Sequence, residues 1–115
     1  MPQAHPTIST HVLDTAGGHP AAGIRVRCWR LVGSAAAGPD GVTETPGSVT
    51  DEDGRIADLL GGQALAPGRY RLAFDLGRGR FFEAVTVDIL VEDATRSHHV
   101  PLLLAPYGLT TYRGS

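Results

Sequence analysis

A chain of 115 residues with 42% apolar content has enough material for one hydrophobic core and excludes a second sizeable one. Ten basic residues stand against twelve acidic ones, a net charge of −2 with no block of one sign, which excludes a surface built to track nucleic acid or coat an anionic membrane. All ten basic residues are arginine, a compositional bias, and the one cysteine, Cys28, rules out an internal disulfide framework and a multi-thiolate metal site.

The opening "MPQAHPTIST" has neither the positive start nor the apolar stretch of a secretory signal. No apolar run reaches membrane-spanning length, so a soluble cytoplasmic protein is the expectation. "TISTHVLDT" (7–15) reads as a strand with Ile8, Thr10 and Val12 on one face and Ser9, His11 and Leu13 on the other. "AGGHPAAG" reads as a turn. "IRVRCWRLV" (24–32) reads as a strand whose Arg25 and Arg27 face is solvated and whose Ile24, Val26, Cys28 face buries an inert thiol. "GSAAAGPDG" is a loop, and "VTETPGSVTDEDGRIADL" gives short extended pieces broken by Pro46 and the Asp53-Gly54 turn signal. "GRYRLAFDLG" (68–77) alternates, Arg78 and Arg80 mark a hairpin turn, and "FFEAVTVDILVED" (81–93) alternates again with one shift. "SHHVPLLLAP" (97–106) and "LTTYRGS" (109–115) close the chain.

No stretch sustains a helical period. Seven to eight short strands with turn signals between them predict a single all-β domain over residues 1–115, an antiparallel β-sandwich. Pro101 cannot donate to a ladder, which predicts an edge, a strand start or a bulge for its position, facing another subunit or lining a site.

Three polar features stand out. His11 lies mid-strand, and histidine suits proton transfer near neutral pH. His98 and His99 are neighbours on a strand, so only one faces any given site, and the other is expected in solvent. Arg55 follows an Asp-Gly turn that can hold it at a strand start and aim it across a surface. The plain alternatives are a backbone-bonded histidine and an ordinary surface arginine. Metal binding lacks its ligands: no histidines have His-x-His or His-x3-His spacing, and no cysteine or placed acid adds a third. No metal or cofactor is therefore expected. A Gly-x-Ser-x-Gly nucleophile elbow and a phosphate-cradling glycine loop before a helix are both missing from the sequence.

"STHVLDTAGGHPAAGIRV", "VTDEDGRI" and "HVPLLLAPYGLTTYRGS" resemble, in that order, the three blocks of the 5-hydroxyisourate hydrolases, the transthyretin-related enzymes of urate breakdown. The closing Tyr112-Arg113-Gly114-Ser115 is similar to that family's signature tetrapeptide. The resemblance implies a transthyretin-like sandwich of two four-stranded sheets. It also implies a homotetramer with sites in a channel at the dimer–dimer contact, and 5-hydroxyisourate as the small-molecule substrate. Hydrolysis would yield 2-oxo-4-hydroxy-4-carboxy-5-ureidoimidazoline.

The family's polar set falls on His11, Arg55, His99 and the closing tetrapeptide. The two histidines are expected to converge as base and orienting partner, in either order. Arg55 is expected to bind substrate oxygens and stabilise charge. Ser115 supplies its hydroxyl and, as a further option, a carboxylate. Tyr112, Arg113 and Gly114 complete the substrate-binding set; Arg113 contacts ligand or locks the tail, and Tyr112 is read as interface packing rather than catalysis. Two departures from the family stand out. The short helix expected before "FF" is replaced by Arg78-Gly79-Arg80, and the usual Tyr-Ser pair after "PYG" is Leu109-Thr110. The rival reading is a transthyretin-like carrier that holds a small ligand without turning it over.

Overall fold

The computed structural model describes residues 5–31 and 42–114. Among the described residues ten strands run in chain order: β1 (Ile8–Asp14), β2 (His19–Pro20), β3 (Arg25–Leu31), β4 (Val42–Glu44), β5 (Ser48–Val49), β6 (Arg55–Ile56), β7 (Gly68–Asp75), β8 (Ala84–Val91), β9 (His98–Ala105) and β10 (Gly108–Thr111). One sheet has the order β10-β9-β1-β2, with β6 also paired to β1; the other has β4-β3-β7-β8, with β5 also paired to β3. Two sheets face to face bury what neither could bury alone. Ile8, Val12, Val100, Leu102 and Leu104 come from the first sheet, and Val26, Cys28, Tyr70, Leu72 and Phe74 from the second.

The predicted sandwich and its main strands are present. Ten strands replace seven to eight because the 42–56 region supplies three short pieces and the expected turn at His19–Pro20 pairs with β1. Among the described residues each sheet accordingly has five strands rather than four. The sandwich is antiparallel in every strand pair of the described residues but one: β1 and β9 pair in parallel from Ile8↔His98 to Asp14↔Leu104. Ninety residues separate these partners, so no tight hairpin dictates their direction. Phe81 and Phe82, assigned to a strand by alternation, lie instead in the connection before β8. That connection carries no helix; Phe81 is 69% exposed and meets the rings of Phe82 and Tyr107 at centroid distances of 4.8 and 6.0 Å. The expected loop "GSAAAGPDG" lies outside the described residues.

Pro101 occupies an interior strand, not an edge, because β9 is flanked by both β1 and β10. It is tolerated because the β10 ladder is interrupted there. Thr111 faces Leu102 and Gly114 faces His99 in one unbroken register, yet residues 112 and 113 between them are unpaired. The Thr111 hydroxyl donates to the Pro101 carbonyl, so the proline's missing N–H also points toward β10. The gap frees Tyr112 and Arg113 from the sheet beside His99.

Cys28 is buried, and burial pushes its thiol up to about 11. The thiolate is the reactive form, so native protein at pH 8 is expected to resist a thiol reagent that labels it fully in denaturant. Rapid native labelling would contradict the packing described for this strand.

Candidate active site

Alternation along β1 turns Ile8, Thr10 and Val12 into the core and leaves Ser9, His11 and Leu13 on the outward face of the first sheet. Register then assembles neighbours from distant parts of the chain. Arg55 of β6 stands opposite His11 on one side, and Pro101 of β9 stands opposite it on the other. One step along, Ser9 stands opposite His99, and Gly114 faces His99 from beyond. His11, Arg55 and His99, 44 and 88 residues from first to last in sequence, thus share one open face.

Each member is held by a specific device. The His11 Nε2 lies 2.9 Å from the Asp53 carbonyl. A carbonyl only accepts, so Nε2 carries the proton and Nδ1 is the free nitrogen of the neutral ring. The Asp51 carboxylate accepts the backbone N–H groups of Asp53 and Arg55 at 2.9 and 3.0 Å, closing the turn that launches Arg55. The Arg55 side chain is exposed and makes no hydrogen bond or ion pair among the described residues. The His99 ring is half-buried, with Nδ1 2.8 Å from the Ser9 hydroxyl. Burial holds His99 below the ordinary histidine value, and the neighbouring His11 and Arg55 push it the same way. Its neutral form is therefore favoured in the fold.

Gly54 is required at the turn. Its φ is +74°, and a Cβ there would sit 2.4 Å from the Val12 carbonyl oxygen. Its own carbonyl accepts the Val12 N–H at 2.7 Å, tying the turn to β1 beside His11. Gly54→Ala is expected to destabilise the fold by about 1–3 kcal/mol. It should lower activity as well, because the same turn aims both Arg55 and the Asp53 carbonyl. Melting and turnover measured together check this.

The remaining expected residues divide. Gly114 donates its N–H to the His99 carbonyl at 2.7 Å. Tyr112 and Arg113, both exposed, line a cavity of about 170 Å³ with His98, His99, Val87 and Ile89; His11 and Arg55 are not among its lining residues. Ser115 lies outside the described residues. His98 corrects the expectation that the second histidine is solvated: it is 7% exposed, because the face opposite His99 on an interior strand is the core face. Its Nδ1 has no hydrogen-bond partner among the described residues. Sequence reasoning passed over Ser9 and Asp51 as working residues. Ser9 could have been found from its place two residues before His11 on the same strand face; the Asp51 role depends on turn geometry. Among the described residues no group of three His, Cys, Asp or Glu side chains could hold a metal ion, and no helix is long and apolar enough to cross a membrane.

The profile of the HIUase/Transthyretin family matches residues 8–114. The chain is 40% identical over 122 residues to a protein of Deinococcus radiodurans named 5-hydroxyisourate hydrolase, covering 96% of this chain and 98% of the relative. The solved structure of Klebsiella pneumoniae 5-hydroxyisourate hydrolase superposes with a TM-score of 0.75 at 32% identity, covering 96% of this chain and 99% of that one. Sea bream transthyretin in complex with thyroxine superposes with a TM-score of 0.76 at 27% identity, covering 93% of each chain. Matched along nearly its whole length, and with its outward polar cluster on the transthyretin sandwich, the chain belongs to the HIUase/Transthyretin family.

Proposed function

We propose that the chain is a 5-hydroxyisourate hydrolase of urate degradation, opening its substrate's ring by addition of water to a carbonyl carbon. The observation that carries this reading is the convergence of His11, Arg55 and a His99 kept neutral on one outward face. The attacking water forms the new C–O bond and gives its proton to the His99 imidazole. Negative charge gathers on the carbonyl oxygen opposite Arg55, whose planar fork of donors stabilises it. The ring C–N bond then breaks, and the leaving nitrogen takes up a proton. His11 offers its free Nδ1 as an acceptor that orients the water or a ring N–H. Tyr112, Arg113, Gly114 and Ser115 close one side of the substrate, with Ser115 directing its hydroxyl at the reacting group.

The open face is walled by a second copy in a homotetramer working in the cytoplasm. What supports assembly is a set of unspent surfaces: β8 and β10 each pair on one side only among the described residues, and Phe81, Leu90 and Tyr107 are exposed. The carrier reading draws on the likeness to thyroxine-bound transthyretin. Against it stands a guanidinium with no partner among the described residues, close enough to His99 to depress its proton affinity, which an apolar ring carrier has no use for. Generating 5-hydroxyisourate in place from urate and following its ultraviolet decay tests the proposal. Accelerated decay proportional to protein is expected; an unchanged decay alongside tight binding of the compound would favour the carrier.

A further inference from the structure

The geometry points to Ser9 as the positioning residue that sets which nitrogen of His99 is free to react. This deepens the hydrolase reading and rests on it. Ser9 and His99 are direct partners in the parallel β1·β9 ladder, so their side chains leave the sheet side by side. The Ser9 Oγ sits 2.8 Å from His99 Nδ1. The opposite edge of the ring is closed by Gly114, where a Cβ would come within 2.6 Å of the His99 Cδ2 and 3.1 Å of Cγ. The imidazole is thus gripped at Nδ1 by a hydroxyl and along Cδ2 by bare backbone, which leaves Nε2 as its one nitrogen without a hydrogen bond among the described residues.

A serine hydroxyl both donates and accepts, so the bond alone permits either tautomer. The reaction selects one. A general base needs its lone pair on the exposed nitrogen, which requires the proton on Nδ1 with Ser9 accepting it. The same bond persists after proton uptake, because an imidazolium donates from both nitrogens. Ser9 therefore supports the charged ring without changing partner during turnover. A neutral hydroxyl does this with no full negative charge, so His99 keeps the low proton affinity that burial and Arg55 impose. Ser9 touches neither substrate nor water in this role; it acts through His99.

The test combines kinetics with the nitrogen NMR signature of His99 in the full chain. Wild-type protein is expected to show His99 with Nδ1 protonated and Nε2 bare. Ser9→Ala should lose that preference, mixing in the Nε2–H form. It should lower kcat about 10-fold or more with KM little changed, and move the acid limb of the pH profile to lower pH, since the imidazolium loses an acceptor. Ser9→Thr, which keeps the hydroxyl, restores most of the rate and the tautomer. Ser9 lies on the outward face, so melting temperatures should agree among the three proteins. A wild-type His99 carrying its proton on Nε2, or a Ser9→Ala protein with unchanged rate and tautomer, overturns the assignment. A protein that never hydrolyses 5-hydroxyisourate but shows the Nδ1–H form, lost in Ser9→Ala, would overturn the hydrolase reading and leave the Ser9–His99 coupling standing.

Discussion

Replacing Arg55 by alanine is expected to lower turnover of 5-hydroxyisourate at least 100-fold while leaving the melting temperature within a few degrees of wild type. Both halves follow from how the residue is held. Its backbone does the structural work: the N–H is bound by the Asp51 carboxylate, the carbonyl accepts the Asp51 N–H at 3.0 Å, and both survive truncation at Cβ. Its side chain is exposed and engages no other described residue, so alanine orphans no partner among them. In the proposed mechanism what disappears is the planar donor fork facing developing charge, a loss of roughly 3–4 kcal/mol in the transition state. Arg55→Lys should recover only part of the rate, because an ammonium is a point charge without the planar fork. Steady-state kinetics and a thermal melt on the same preparations decide the matter; a near-normal rate in Arg55→Ala would remove the guanidinium from the mechanism.

His99→Gln is expected to cost about 10²–10⁴-fold in kcat, the range that a lost general base typically produces. Glutamine fills similar space and keeps a polar tip for Ser9, so the loss reads chemistry rather than packing. The wild-type pH profile should show an acid limb below the ordinary histidine value of 6.5, since burial, then His11, then Arg55 disfavour the protonated ring. Arg55→Ala takes one of those influences away, so in its residual activity the limb should move upward. Stability follows the same sign. A histidine depressed in the folded state contributes stability that is present above the unfolded value and is lost as pH falls through the folded one. Mild acid should therefore weaken wild type more than His99→Gln. A limb above 6.5 in wild type would assign the base elsewhere.

Much of this arrangement is legible in the residues themselves. Period-two alternation puts His11 outward and Val12 inward without any coordinates, and the Asp-Gly turn announces that Arg55 begins a strand. The rest depends on pairings that local pattern does not encode. Nothing in the order of residues says that β1 and β9 run parallel, and that direction is what lays Ser9 beside His99. His98 misleads because a histidine pair reads as polar, whereas an interior strand has a core face that takes whichever residue falls on it. Pro101 misleads for a related reason: a ladder can be interrupted in the middle of a sheet when the neighbouring strand leaves it at Tyr112 and Arg113 and returns at Gly114.

The strict turn-about of side chains along β1 divides labour between neighbours in the chain. Even-numbered positions from Ile8 to Val12 answer to folding; the odd-numbered ones between and beside them face outward and are free of that duty. A change of chemistry can thus be written on one set without consulting the other, and a lineage on this scaffold can trade turnover for simple carriage, or the reverse, through a few outward substitutions. Descent within such a family should leave inward positions conservative in volume and let outward ones track the cargo.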